Sequence, residues 1–240
     1  MNITVFGATG MVGSRLVAEA VSRGHRVTAA SRHPEGARSA AVIPVAVDAG
    51  APADRRDAAL DEALGTSGAA LLAIRPAPGR EDSIAPLTSA VLDAAARAGV
   101  RLLVIGGAGP LRSPRDPGVL VIDDPDHVPA AWRAVAAAST VQLRTCHEHG
   151  YGDWTYLSPP SLLEPGTRTG GYRRGTTTLL TDPDGTSRIS VEDLAVAALD
   201  EIEHPGGDRH FTVARSLASG TVLPHDIDHR RRPGHSVRQD

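Results

Sequence analysis

The sequence predicts an α/β fold in which a mostly parallel β-sheet carries helices on both faces. Short apolar runs alternate with segments of helical period along most of the chain. The run at residues 69–74 is apolar almost throughout, as is typical of a strand buried on both faces. A glycine-rich turn joins the first apolar run to the first helical segment. These features predict one doubly wound domain over residues 1–214.

The segment at residues 2–24 carries the most specific motif. Apolar strand residues are followed by the turn GATGMVG at 7–13 and then by apolar residues at helical spacing. In such a turn the first glycine permits a sharp bend, the second lets a pyrophosphate approach, and the third lets the helix lie close to the sheet. Free N–H groups at the helix start favour an anion. The order of strand, turn and helix predicts a dinucleotide-binding βαβ unit.

The loop after the second strand, at residues 26–30, bears on the choice of cofactor. Sites that prefer NAD usually place Asp or Glu roughly 20 residues past the glycines, where it holds the ribose 2′-hydroxyl. Here the chain reads TAASRHP, and Ser31 and Arg32 offer a hydroxyl and a guanidinium that suit a 2′-phosphate. The alternative for Arg32 is a solvated loop arginine. The missing acid predicts NADP(H).

The next elements follow the same alternation. A third strand at 42–47 ends in Asp48, which is placed to contact the adenine edge or to be an ordinary loop carboxylate. A helix then begins near residue 52, with Asp54 and Asp57 in positions that suit the N-cap and N3. The strand at 69–74 leads into a rigid loop at 75–79, where ligands gather in such folds. A helix at 82–98 ends at Gly99, and a strand at 102–105 precedes GGAGP.

The C-terminal part begins with a loop at 111–129 that is rich in Pro and Asp and is expected to border the active site. An alanine-rich helix at 130–145 and a strand at 153–157 follow. Turn signals predict a hairpin at 166–184, within a small substrate-side excursion at about 161–187. A capping box variant at Ser190 begins a helix that runs to about residue 203. The last strand is at 209–214, and residues 215–240 form a polar extension with an arginine run at 230–232.

Composition narrows the function classes. The net charge of −3 gives no reason to invoke nucleic acid or an anionic membrane, and no segment has the length and apolarity of a membrane span. The lone Cys146 fits a reducing cytosol, and the first residues are strand in place of a secretory signal. Cys146, His147 and His149 are neighbours at a helix end, where ligands rarely converge. We expect a cytoplasmic monomer or homodimer that binds a small molecule and no metal.

The motifs GATGMVG, GGAG, DWTYLSP and SRISVEDLAVAALDEIEHP together resemble those of the atypical short-chain dehydrogenase/reductases. The likeness covers about residues 1–214. Within that family the chain is most similar to the NAD(P)-binding group proposed as NADH-flavin reductases, which is related to NmrA-like proteins and biliverdin reductase B. The resemblance implies a Rossmann-type fold and a cofactor site. Its pyrophosphate contacts fall on Gly7, Thr9, Gly10, Met11, Val12 and Gly13, and its ribose phosphate contacts on Ser31 and Arg32. Its nicotinamide loops fall on Ala73, Ile74, Arg75, Gly106, Gly107, Ala108, Ser158, Pro159 and Pro160.

The chain departs from the better-known short-chain dehydrogenases in its proton donor. Those enzymes use Tyr-x-x-x-Lys, in which lysine lowers the pKa of tyrosine. This chain contains no lysine, so the pair cannot form. Where related proteins carry an aromatic and a basic residue after the Asp/Pro loop, this sequence has Trp132 and Arg133. The candidate donor is His127, in the Asp/Pro loop, and the alternative is a surface histidine.

The sequence therefore predicts an NADPH-dependent oxidoreductase that transfers hydride to a small conjugated acceptor. A quinone, a flavin or a conjugated carbonyl of a biosynthetic intermediate spreads the incoming charge, so it needs no strong acid. Two alternatives stay open at this point. One is an NADP-binding sensor without turnover, as in NmrA-like proteins, and the other is a non-redox enzyme on a biosynthetic intermediate.

Overall fold

The computed structural model describes residues 1–217 apart from 35, 37 and 38. The strands are β1 (Asn2–Phe6), β2 (Arg26–Ser31), β3 (Val42–Ala46), β4 (Ala69–Leu72), β5 (Arg101–Ile105), β6 (Trp154–Ser158), β7 (Leu162–Glu164), β8 (Tyr172–Gly175), β9 (Arg188–Ser190) and β10 (His210–Arg215). The helices are α1 (Met11–Ser22), α2 (Ala53–Leu64), α3 (Ile84–Ala98), α4 (Arg133–Glu148) and α5 (Val191–Glu203). The predicted arginine run at 230–232 lies outside the described residues.

The main sheet has eight strands in the order β3-β2-β1-β4-β5-β6-β10-β8. All neighbours in it are parallel except β10 and β8. The chain order reverses between β1 and β4, which opens a crevice at the carboxyl ends of these strands. The predicted Rossmann-type α/β fold is confirmed.

Each face of the sheet has its own apolar cluster. One cluster joins the sheet to α2, α3 and α4 and includes Phe6, Leu72 and Tyr156. The other joins it to α1 and α5 and includes Ile3, Leu16 and Phe211. Because aromatic residues make up only 3% of the chain, most of this buried volume comes from Ala, Val and Leu.

Helix ends follow the sequence signals in most places. Gly99 ends α3 in the left-handed region at φ 64°, and the Ser190 hydroxyl accepts from the Asp193 amide at 3.0 Å at the start of α5. The predicted Asp54 cap is wrong, because Pro52 is the N-cap and α2 begins at Ala53. Asp54 therefore lies within the first turn of α2, where its negative charge interacts favourably with the positive end of the helix dipole.

The predicted hairpin at 166–184 is also wrong. The segment contains β8, which pairs antiparallel with β10 at the edge of the main sheet. The strands on either side of the segment, β7 and β9, pair parallel with each other in a separate two-stranded sheet. Between β7 and β8 the backbone is fastened to the start of α5, since the Asp193 carboxylate accepts from the amides of Thr169 and Gly170, each at 2.8 Å. Turn signals mark where a chain reverses but not which strand it pairs with.

Within the described part of the chain, no helix has both the length and the apolar character needed to cross a membrane.

Candidate functional site

A cavity of about 740 Å³ lies where β1, β4, β5 and β6 end. Its position coincides with the reversal of strand order, the usual ligand site in such sheets. Most of the predicted cofactor residues line it: Gly10, Met11, Val12, Ala73, Ile74, Arg75, Gly106, Gly107, Ala108, Pro159 and Pro160. The predicted donor His127 lines the same cavity.

The three glycines of the first turn have different surroundings. Gly7 has φ 83°, and a Cβ there would come within 2.5 Å of the Ala73 carbonyl oxygen. A Cβ on Gly13 would overlap the Gly7 carbonyl group. At Gly10 the one neighbour within 4 Å of an added Cβ is the Gly7 carbonyl oxygen, at 3.2 Å. The turn thus needs Gly7 and Gly13 for its own packing, whereas Gly10 leaves open space above the backbone.

The start of α1 offers an anion cradle beside that space. Gly10 is the N-cap and provides no side-chain cap, and the first turn carries no acidic residue. The first N–H groups of a helix have no partner within it, and the helix dipole adds partial positive charge there. Met11 and Val12 line the cavity at this point, so the cradle suits a pyrophosphate.

A second cavity, of about 500 Å³, is lined by Arg32 and Asp48. Arg55, from the first turn of α2, joins them there, although the sequence analysis had not singled it out. Ser31 is only 6% exposed, and its hydroxyl has no hydrogen-bond partner among the described residues. The two guanidinium groups suit a ribose 2′-phosphate, whereas Ser31 is not among the residues that line this cavity.

The loop after β5 lies directly on α4 and β6. A Cβ on Gly106 would overlap the Tyr156 hydroxyl, and one on Gly107 would come within 2.9 Å of Ser139 Cβ. These glycines let the loop backbone lie close to the side chains beneath it while its other side borders the cavity. This arrangement leaves room for a flat ring against the backbone.

The chain's three tyrosines are held away from the cavity wall by their own hydrogen bonds. Tyr156 is fully buried and donates to the Ser139 carbonyl oxygen at 2.9 Å, and burial raises its pKa well above the usual range. Tyr151 donates to the Val100 carbonyl oxygen at 3.0 Å, and burial raises its pKa too. Burial and Asp200 together raise the pKa of Tyr172 to about 12. No tyrosine here is poised to act as an acid.

The Asp/Pro loop and the start of α4 supply the other wall. His127 is half-buried there, and no described residue hydrogen-bonds its ring. Trp132 lines the cavity and is 57% exposed. Its neighbour Arg133 instead pairs with Asp123 on the protein surface. Of the aromatic and basic pair, only the aromatic residue borders the cavity.

Ser158 does not take the position that its place in the sequence predicts. It is fully buried as the last residue of β6, and its Oγ lies 2.9 Å from His210 Nε2. Burial lowers the pKa of His210 to about 4, so this imidazole is neutral at physiological pH. The cavity is lined by the following Pro159 and Pro160, and Ser158 is not among its lining residues. Gly7, Thr9 and Gly13 are likewise absent from the lining of the cavity.

The cysteine and histidine neighbours at the end of α4 point in different directions. Cys146 is buried, and burial raises its pKa to about 12. The His147 ring packs edge-on against Trp154 with centroids 5.0 Å apart, and His149 Nε2 lies 3.1 Å from Asp93 Oδ1. Across residues 1–217, apart from the three left out, no group of three or more candidate ligands could hold a metal ion.

Comparison with known proteins adds a family and several relatives. A family model described as NAD(P)H-binding matches residues 7–205. The 3-diazoavenalumate denitrifying reductase of a Streptomyces species is 32% identical over an alignment of 251 residues, which spans 94% of this chain and 80% of that protein. A proposed epimerase from Bacteroides thetaiotaomicron, 32% identical, superposes with a TM-score of 0.80 over 91% of this chain and 99% of the other. A proposed NADH-flavin reductase from Streptococcus pneumoniae, 26% identical, gives 0.74 over 90% and 100%.

Proposed function

We infer the function from one premise: the chain belongs to the NAD(P)H-binding family, as its resemblance to atypical short-chain dehydrogenase/reductases indicated. Within that family we propose that it is an NADPH-dependent oxidoreductase that reduces a small conjugated acceptor, such as a quinone, a flavin or a conjugated carbonyl. One observation carries this proposal. A single cavity is lined both by the backbone of the glycine turn and the GGA loop and by apolar side chains that include Trp132, Val135 and Leu162.

The residues present fit the cofactor. The open space over Gly10 and the start of α1 would hold the pyrophosphate, and Ser31 and Arg32 would hold the 2′-phosphate with help from Arg55. The backbone at Gly106 and Gly107 would face the nicotinamide. NADPH, when bound, supplies a hydride.

The pocket favours a flat acceptor that delocalises charge. Its walls offer apolar side chains for a planar ring, and its titratable groups are Arg75, Glu81, His127 and Glu164. Of these side chains, histidine is the one that most often acts as a general acid in enzymes. We therefore assign proton donation, where the acceptor needs it, to His127.

The names of two relatives support a reductase. The Streptomyces protein is named as a reductase of 3-diazoavenalumate, and the Streptococcus protein is proposed to reduce flavin. Both names describe the reduction of a small organic molecule, which agrees with the proposal. The Bacteroides protein favours a second candidate, an epimerase, which would return the hydride and consume no NADPH. Net oxidation of NADPH separates the two functions.

We expect NADPH to bind more tightly than NADH by about tenfold or more, because a charge-assisted contact to the 2′-phosphate contributes roughly 1.5–3 kcal/mol. Arg32→Ala should remove most of this preference, and Arg55→Ala should reduce it. Calorimetric titration with both cofactors measures the ratio. Arg26→Ala is the matched control, because this exposed arginine opens β2 at the opposite end from Ser31. An unchanged ratio in Arg32→Ala would remove the argument for NADP.

A further inference from the structure

We propose that Gln142 donates a hydrogen bond to the acceptor oxygen on which charge develops during reduction. The inference rests on the proposed reductase function and names the group that replaces the missing tyrosine. It also narrows the acceptor to a planar ring system that carries a carbonyl oxygen at its deep end.

The position of Gln142 follows from the helix that carries it. Val135, Ala138, Ser139 and Gln142 fall on one side of α4, and all of them line the cavity. Trp132 begins this stripe at the cavity mouth, where it is 57% exposed. Gln142 ends the stripe about three turns further along the chain and is only 3% exposed. A ring that lies along the stripe would therefore meet Gln142 at its inner end.

The amide of Gln142 is only half satisfied. Its Nε2 is buried and has no hydrogen-bond partner among the described residues. Buried polar groups are nearly always paired, so an unpaired donor at a cavity wall indicates that a ligand supplies the acceptor. The Ser161 hydroxyl, on the opposite wall, is also unpaired, but a hydroxyl rotates freely and has no fixed direction.

The Gln142 amide oxygen lies toward Tyr156. Its hydroxyl lies 2.9 Å from the Ser139 carbonyl oxygen and 3.2 Å from Gln142 Oε1, and one O–H can be shared between two such acceptors. With Oε1 held at the phenol, the two N–H donors of Nε2 are left without a protein partner. The buried tyrosine thus orients a neighbouring amide, and it donates no proton to the substrate.

The chemistry of reduction uses such a donor. The acceptor gains two electrons and one hydrogen as hydride from the proposed NADPH cofactor, and its conjugated oxygen becomes negatively charged. A proton from His127 or water completes the reduction. An amide N–H stabilises this oxygen without giving up its proton, as side-chain amides do in oxyanion holes. Gln142 would therefore lower the barrier for a carbonyl acceptor in a chain that has no Tyr–Lys pair.

The test replaces Gln142 by methionine, which has a similar length and no N–H. We expect Gln142→Met to lower kcat with a naphthoquinone by about 10²-fold, the loss seen when one oxyanion donor is removed. The calorimetric affinity for NADPH should stay within about twofold of wild type. Thr88→Val is the matched control, because Thr88 is also fully buried and unpaired but does not line the cavity. It should leave kcat unchanged.

Ligand binding gives a second readout that needs no turnover. Quenching of tryptophan fluorescence, with Trp132 in the cavity, reports the affinity for naphthoquinone and for naphthalene, which has no oxygen. Gln142→Met should weaken binding of the quinone and leave naphthalene unaffected.

Three results would overturn the inference: an unchanged kcat in Gln142→Met, an equal loss in Thr88→Val, or equal weakening of both ligands. Absence of NADPH oxidation by the wild type would refute the proposed function separately, and the quinone titration would then still decide whether Gln142 binds the oxygen.

Discussion

The Gly10→Val variant should fold and lose measurable affinity for NADPH. A Cβ added at this position would lie 3.2 Å from the Gly7 carbonyl oxygen, so this group must shift by a few tenths of an ångström, an adjustment that the fold should tolerate. Its isopropyl group would occupy the space above the start of α1 that the pyrophosphate needs. We expect a loss of at least about 100-fold, because displaced phosphates lose their charge-assisted backbone contacts.

Calorimetry on folded protein measures this effect, with circular dichroism and thermal unfolding as checks on the fold. Gly13→Ala is the informative contrast, because its single methyl group would overlap the Gly7 carbonyl and should destabilise the domain itself. The two variants thus distinguish Gly10, which we expect to matter for cofactor binding, from Gly13, which is needed for the packing of the turn. A folded Gly10→Val protein with wild-type affinity would mean that the turn is structural only.

The His127→Ala variant should lower kcat by about 10²-fold, the usual contribution of a positioned acid. Steady-state oxidation of NADPH by the wild type and by the variant, with the same acceptor, measures this loss. An unchanged kcat in that variant would assign the proton to water and leave the reductase account in place.

Replacement of tyrosine by phenylalanine provides the comparison for the effect of His127→Ala on kcat. The Tyr151 and Tyr172 hydroxyls donate to acceptors of the protein away from the cavity, so their phenylalanine replacements should keep kcat within about tenfold of wild type. Tyr156→Phe should still cost about 1–3 kcal/mol of stability, because the buried Ser139 carbonyl oxygen loses its donor. A Tyr151→Phe or Tyr172→Phe variant that binds NADPH normally yet loses activity by orders of magnitude would contradict this mechanism.

The sequence was sufficient for the fold because its signals are local. Apolar runs, helical spacing and the turn glycines identify elements one at a time, and right-handed crossovers then fix the order of parallel strands. The hairpin at 166–184 failed because pairing is not local. Whether β8 meets β10 or a nearer strand depends on the sheet edge that is left open, which no run of residues reveals.

The parts of the site that are formed by backbone atoms could be predicted from the sequence. Loops that follow parallel strands meet at one edge of the sheet, so the glycine turn and the GGA loop could be placed from their positions alone. Side-chain direction was the harder part. Ser158 was expected to follow a strand, but it is the last residue of β6, and its hydroxyl lies against His210 on the neighbouring β10.

Two further residues lacked a sequence signal that would single them out. Gln142 is one polar residue among several in an alanine-rich helix, and its role depends on the rotation of α4 against the cavity. Arg55 stands in a run of charged residues at the start of α2, and only the packing of that helix brings it near Arg32.

The most direct test of the account is the absorbance of NADPH after a panel of quinones, flavins and conjugated carbonyls is added to the protein. We expect at least one acceptor to cause oxidation of NADPH at a rate proportional to enzyme concentration, faster than with NADH, and absent in Gly10→Val. Tight NADPH binding with no oxidation by any acceptor would contradict the account and indicate an NADP-binding sensor or an enzyme without net redox chemistry.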